Sequence, residues 1–315
     1  MALKRLHPDS SNRNEVIAAT LNEILRGETK CRSLIAHNQR VCREHWLPAN
    51  HVEGVIGACA GVFYDQMSLA IPKLWHGDHQ GVQLLGNGAG SMYLAARLDF
   101  CDLKLITDGF NFENPVLKHL LIFHGLLAKV GDNSMPKWFA PHLLKLLDGK
   151  ASDLLRQIDE PFVEFMRLLV QAQIVHKWPE EVDSRALRGF APLLQFAGGG
   201  DKFRRVLEDY CDFRLCNAWG WNEVDARNPR KPSQSFPSSI FDGPGWEALL
   251  PFELFSLQYV YESCTGMPLP LNADHPLLHS KLMALPPVWP FPESELVAEV
   301  EIFGAGKFGE SWHEK

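Results

Sequence analysis

No stretch of the chain carries a short catalytic signature. GxSxG, GxxxxGK[ST] and HExxH are all absent. Their absence sets aside the common serine hydrolases, P-loop NTPases and zinc proteases. The seven cysteines include no CxxC pair and are odd in number, so neither a zinc ribbon nor a closed disulfide framework fits. Period-2 alternation is almost missing, and with it the expectation of a sheet. The N-terminal stretch MALKRLHPDSSNRNE has no apolar core of the signal-peptide kind. No transmembrane helix is expected either, and a membrane is not an expected partner. These absences lead to the expectation of a reducing cytoplasm and of free, mostly buried thiols.

What is present is an ordinary globular composition. Apolar residues make up 46% of 315, enough for a substantial core and too much for wholesale disorder. Tryptophan is abundant, and large aromatics both fill cores and anchor interfaces. The net charge is −7, but residues 1–50 carry eight Lys/Arg against five acids, which leaves −10 for the rest. An acidic body argues against nucleic acid as the main ligand and suits a basic protein partner.

The most apolar stretch runs from Gly243 to Gly266, GPGWEALLPFELFSLQYVYESCTG. Pro244 suits a first helical position, and Gly266 followed by Pro268 and Pro270 is a stop. At the helical period, Glu247, Pro251, Gln258 and Glu262 share one narrow strip and the remaining circumference is apolar. Pro251 predicts a kink or a restart. Glu253 falls on the apolar side, where a carboxylate must find a partner or a proton. The favoured reading is a structural carboxylate bonded to a helix end or an arginine; the competing one is an acid in a cleft.

The rest of the chain reads as roughly eleven helical segments in an irregular all-α array, without a fixed repeat. Helices are expected over 14–27, 31–45, 51–70, 92–105, 114–129, 135–149, 152–176, 186–196, 201–213 and 293–301. Pro72 to Gly81 reads as a loop, and Pro161 as a point where its helix can split. Gly198-Gly199-Gly200 is the clearest hinge and the expected lobe boundary in what otherwise reads as one domain. The ends, 1–12 and 303–315, are expected to be mobile.

Five groupings invite a chemical reading. Gly86-Asn-Gly88-Ala-Gly90, with Asp108 further on, resembles a phosphate-cradling loop, but its spacing departs from GxGxxG and no βαβ unit surrounds it, so a plain connection is favoured. His76 and His79 with Asp78 are too few for a metal shell, His119 and His124 do not share a helix face, and Cys211 and Cys216 are poorly spaced for a bridge. No metal and no cofactor are therefore expected. The irregular region with Trp219, Trp221, Glu223, Asp225 and Arg227 is read almost evenly as a loop folded on its indoles or as a protein-binding edge. The acidic segment with Glu293, Glu295, Glu299 and Glu301 is an ordinary solvated face that would also suit a basic partner.

The segments KFRRVLEDYCDF (202–213), WEALLPFELFSLQYV (246–260) and DHPLL (274–278) resemble, in order and character, the all-α immunity proteins of bacterial polymorphic-toxin systems, in particular the immunity protein 49 type. The resemblance implies a cytoplasmic protein that neutralises a cognate toxin by binding it, and it assigns no inhibitory residue. The competing expectations are a helical enzyme with a small-molecule pocket near Glu253, and a scaffold or adaptor.

Overall fold

The computed structural model describes residues 12–102, 114–132, 134–149, 153–218 and 245–312. Among them every regular element is helical and no strand occurs. In chain order the helices are α1 (Arg13–Arg26), α2 (Glu28–Val41), α3 (Val52–His76), α4 (Gln80–Cys101), α5 (Asn114–Val130), α6 (Met135–Asp148) and α7 (Asp153–Val175). They continue with α8 (Ser184–Leu187), α9 (Ala191–Gln195), α10 (Asp201–Ala218), α11 (Trp246–Leu249), α12 (Phe252–Thr265) and α13 (Glu295–Phe308). A π turn, Cys42–Trp46, closes α2, and 3₁₀ turns occupy Arg188–Phe190, Lys281–Ala284 and Gly309–Trp312.

The chain forms two compact units, each discontinuous in sequence. The first is Met1–Arg26 with Asp153–Leu285, and the second is Gly27–Ser152 with Pro286–Lys315. The glycine triplet at 198–200, expected to separate lobes, lies inside the first unit.

In the second unit, α3 and α4 pack along their lengths and carry most of the core, with α2, α5 and α13 against them. Gly77, left-handed at φ 79°, ends α3 and turns the chain into α4. By length and composition α3 could cross a membrane, but 72% of its apolar window is buried inside the protein, which accounts for the apolarity. Two expectations fail here. Pro72 lies inside α3 instead of opening a loop: Leu69, Ala70, Ile71 and Leu74 are buried around it, and that burial outweighs a helix-proline cost of about 3 kcal/mol. The Gly86–Gly90 stretch is likewise the middle of α4, not a connection. A Cβ on Gly88 would stand 3.0 Å from Gln66 Cβ, and one on Gly86 2.8 Å from Pro292 Cδ. These glycines let neighbouring segments approach closely, and they cradle no phosphate.

The expected mobile tail is also corrected over its described part. α13 continues to Phe308, and the 3₁₀ turn brings Trp312 to 1% exposure. Its indole N–H donates to Glu301 Oε2 at 2.6 Å, its carbonyl accepts from Arg97, and the Arg97 guanidinium lies 3.9 Å from its ring centroid. Gly304 is buried where a Cβ would meet the Trp312 ring at 2.6 Å.

In the first unit, α7 packs on α12 and α8, and α10 packs on α1, α9 and α11. Phe162, Phe165, Phe190, Tyr210 and Phe252 form its aromatic centre, with ring centroids 5.1–6.1 Å apart. α7 runs unbroken through Pro161. Pro251, by contrast, does break the apolar stretch: α11 ends at Leu249 and α12 restarts at Phe252. The restart resets the helical phase, so Glu247 does not share the strip of Gln258 and Glu262 but is buried at 2% exposure. Gly266, left-handed at φ 69°, ends α12 where the sequence predicts.

Candidate functional site

The first unit holds a buried charged network, assembled where α10 meets the break between α11 and α12. Tyr210 and Arg214 lie one turn apart on α10 and face the break between α11 and α12. Pro251 has no N–H for the carbonyl of Glu247, its partner four residues back. Arg214 Nη2 donates to that carbonyl and, at 2.5 Å, to the carbonyl of Leu250. Arg214 Nη1 and the Tyr210 hydroxyl both donate to Glu253 Oε1. Both charged side chains are 0% exposed, and burial pulls the Arg214 guanidinium below its ordinary value. Glu253 Oε2 has no hydrogen-bond partner among the described residues.

A second knot lies beside it. Arg13 on α1 grips Asp212 through Nε and Nη2, each at 2.7 Å. His275 Nε2 lies 3.2 Å from Asp212 Oδ1, while its Nδ1 accepts from the Leu277 amide at 3.1 Å. That network assigns the Nε2–H tautomer and leaves neither ring nitrogen for a general base. Burial alone would raise the Asp212 carboxyl, but hydrogen bonds from His275 and Arg13 outweigh it and hold it below its usual range.

An open cleft of about 420 Å³ lies elsewhere in the same unit, lined by Trp178, Glu180, Gln195, Tyr261 and Thr265 among others. The Trp178 and Tyr261 rings stand 5.0 Å apart at 81°. A smaller hollow of about 290 Å³, with Phe203, Arg204 and Met267, shares Tyr261.

Of the residues singled out in the sequence, Trp219, Trp221, Glu223, Asp225, Arg227 and Asp108 lie outside the described residues. Glu293, at the foot of α13, is exposed. Glu295 and Glu299 both bind Arg43, at 3.0 and 2.6 Å, and Glu301 binds Arg97 at 2.7 Å. The acidic face of α13 is thus partly neutralised by its own unit. Asp78 accepts from the Gln80 amide at the start of α4 and pairs with Lys73. His119 is buried against Phe63 and Tyr64, and His124 beside Phe139. Cys211 is buried and free. No group of three metal-ligating side chains occurs among the described residues.

The second unit buries an acid that the sequence did not flag. Asp99 on α4 is 1% exposed, neither carboxylate oxygen has a partner among the described residues, and burial pushes it up to about 8. His119 is driven the opposite way by burial, down to about 3. Arg13, Asp212, Arg214 and Trp178 were also missed. A charge on an amphipathic helix reads as solvent-facing unless the fold places it otherwise, and only the run DYCDFRLC, with Arg214 one turn from Tyr210, hinted at it. No protein-family model, curated protein or solved structure matches the chain.

Proposed function

We propose that the chain is a toxin-neutralising protein of the immunity type, acting in the cytoplasm by binding a basic toxin and covering its active site or substrate groove. The observation that supports this reading is the convergence of 202–213, 246–260 and 274–278 in one unit through Tyr210–Glu253 and Asp212–His275. Asp212, Glu253 and His275 are committed to the fold, so the work falls to the surface. The acid invoked by the enzyme alternative, Glu253, is held by Arg214 and Tyr210. The negative charge of the body outside residues 1–50 favours fast association with a basic partner.

The test is purification of the full chain at native level from its source cell, with mass spectrometry of what coelutes. A stoichiometric protein with a toxin-like domain, whose toxicity the chain suppresses on co-expression, is the expected result. A stoichiometric partner without such a domain would move the reading to a scaffold. A bound small molecule without a protein would move it to an enzyme.

A further inference from the structure

We infer that the cleft at Trp178 and Tyr261 is a socket for one arginine or lysine side chain of a basic protein partner. It rests on the reading above only in naming the source of the cation as a protein. Its volume, about 420 Å³, lies within the range of built ligand sites. Glu180 is its charged lining residue, and among the described residues no lysine, arginine or histidine lines it. A cation is therefore the charge it accommodates.

The walls are pre-set. Tyr261 is fixed against Trp178 at 5.0 Å, and its carbonyl accepts from Thr265 Oγ1 at 2.8 Å. On its far side Gly198, at φ 75°, is moulded to the phenol so closely that a Cβ there would run into the hydroxyl. Gly198 thus shapes an aromatic wall. Gln195 Nε2 is tied to Ser184 Oγ at 2.9 Å, and its Oε1 remains an acceptor. A guanidinium lies flat on an indole and sends N–H groups to a carboxylate, which is the combination that Trp178 and Glu180 offer.

Lys177 occupies Glu180 now, at 3.1 Å, but the two side chains are 67% and 76% exposed. A pair that open to water is weak and yields to a partner that also desolvates the indole. Glu181 and Asp183, both exposed, add negative charge next to the cleft, and Arg185 and Arg188 on the following turn oppose it. Exposed apolar side chains close by fit a protein as the source. Ile174 and Val175, just before Trp178 in sequence, are 37% and 59% exposed, and Met267, which lines the hollow that shares Tyr261, is 54% exposed. Apolar side chains beside a charged anchor suit a protein interface.

The test uses the full chain with N-acetyl-arginine amide, its neutral citrulline counterpart and tetramethylammonium, followed by calorimetry or NMR titration. We expect binding of the arginine probe with a dissociation constant on the order of millimolar, and binding of the citrulline probe about tenfold weaker. Trp178→Ala and Glu180→Gln should each weaken the arginine probe about fivefold or more, Glu180→Gln at an unchanged melting temperature. Equal binding of arginine and citrulline, or full binding by Glu180→Gln, would overturn the socket. Preference for tetramethylammonium would replace the side chain by a free quaternary amine. Socket binding without any toxin partner would sink the immunity reading alone; a toxin bound equally by wild type and both variants would sink the socket alone.

Discussion

Arg214 and Glu253 are both out of reach of water, so neither charge can be removed without stranding the other. Glu253→Leu is expected to lower unfolding free energy by about 3–5 kcal/mol, seen as a fall in urea midpoint at unchanged slope. Adding Arg214→Met should recover only part of that loss, because the carbonyls of Glu247 and Leu250 then lose their donor. A midpoint unmoved by the single change would show that the pair does not hold the α11–α12 break. Asp99 and His119 make the second unit sensitive to pH in opposite senses. The Asp99 carboxyl is raised from 3.8 to about 8, so the folded chain holds a proton that the unfolded chain has released. Stability falls as pH rises between those values, by about 1.4 kcal/mol per unit from this group. His119 is lowered from 6.5 to about 3, so its contribution falls as pH drops through that window. The two offset one another in mildly acid solution, and above neutrality Asp99 acts alone. Asp99→Asn should therefore stabilise the protein at pH 8 far more than at pH 5; an equal gain at both would mean that Asp99 is already ionised in the folded state.

The carboxyl-terminal helix shows how far a single aromatic can reorganise an element. Trp312→Ala removes the ring that covers Gly304, the stacking surface of Arg97 and a donor to Glu301. A loss of about 3–5 kcal/mol is expected, with faster amide exchange through 303–312; protection unchanged there would show that α13 holds itself. The same element illustrates what a linear reading can and cannot find. Starts and stops were legible where chemistry is local: Asn114-Pro115 and Met135-Pro136 at helix openings, Gly266 at a close, Pro251 at a restart. They were illegible where burial overrules punctuation. Pro72, Pro161 and the glycines of α4 carry costs of about 1–3 kcal/mol each, and packing against neighbours outweighs them. Glu253 was legible as a misplaced charge because an apolar helix surrounds it. Arg214 was not, because its own helix is rich in charges. The cleft was invisible because Trp178 and Tyr261 are far apart in sequence and meet only through the packing of α7 on α12.

On the scale of the whole chain, charge is the property most open to test. Glu295 and Glu299 carry the outward acid of α13 but share Arg43, so their field is weaker than a count of carboxylates suggests. Glu295→Lys with Glu299→Lys is expected to slow association with a basic partner and flatten its salt dependence. It should also cost a little stability, since Arg43 then faces two cations. Association kinetics unaffected by the double change would remove this face from the interface. The division into two discontinuous units has a further consequence, in time. Arg13 leaves the ribosome with its partner Asp212 still 199 residues away, and Arg97 waits through 215 residues for the carbonyl of Trp312. Neither unit can close while the chain is short, and such distant pairings fold slowly. Apolar surface of both units therefore stays open during synthesis until the late segments arrive.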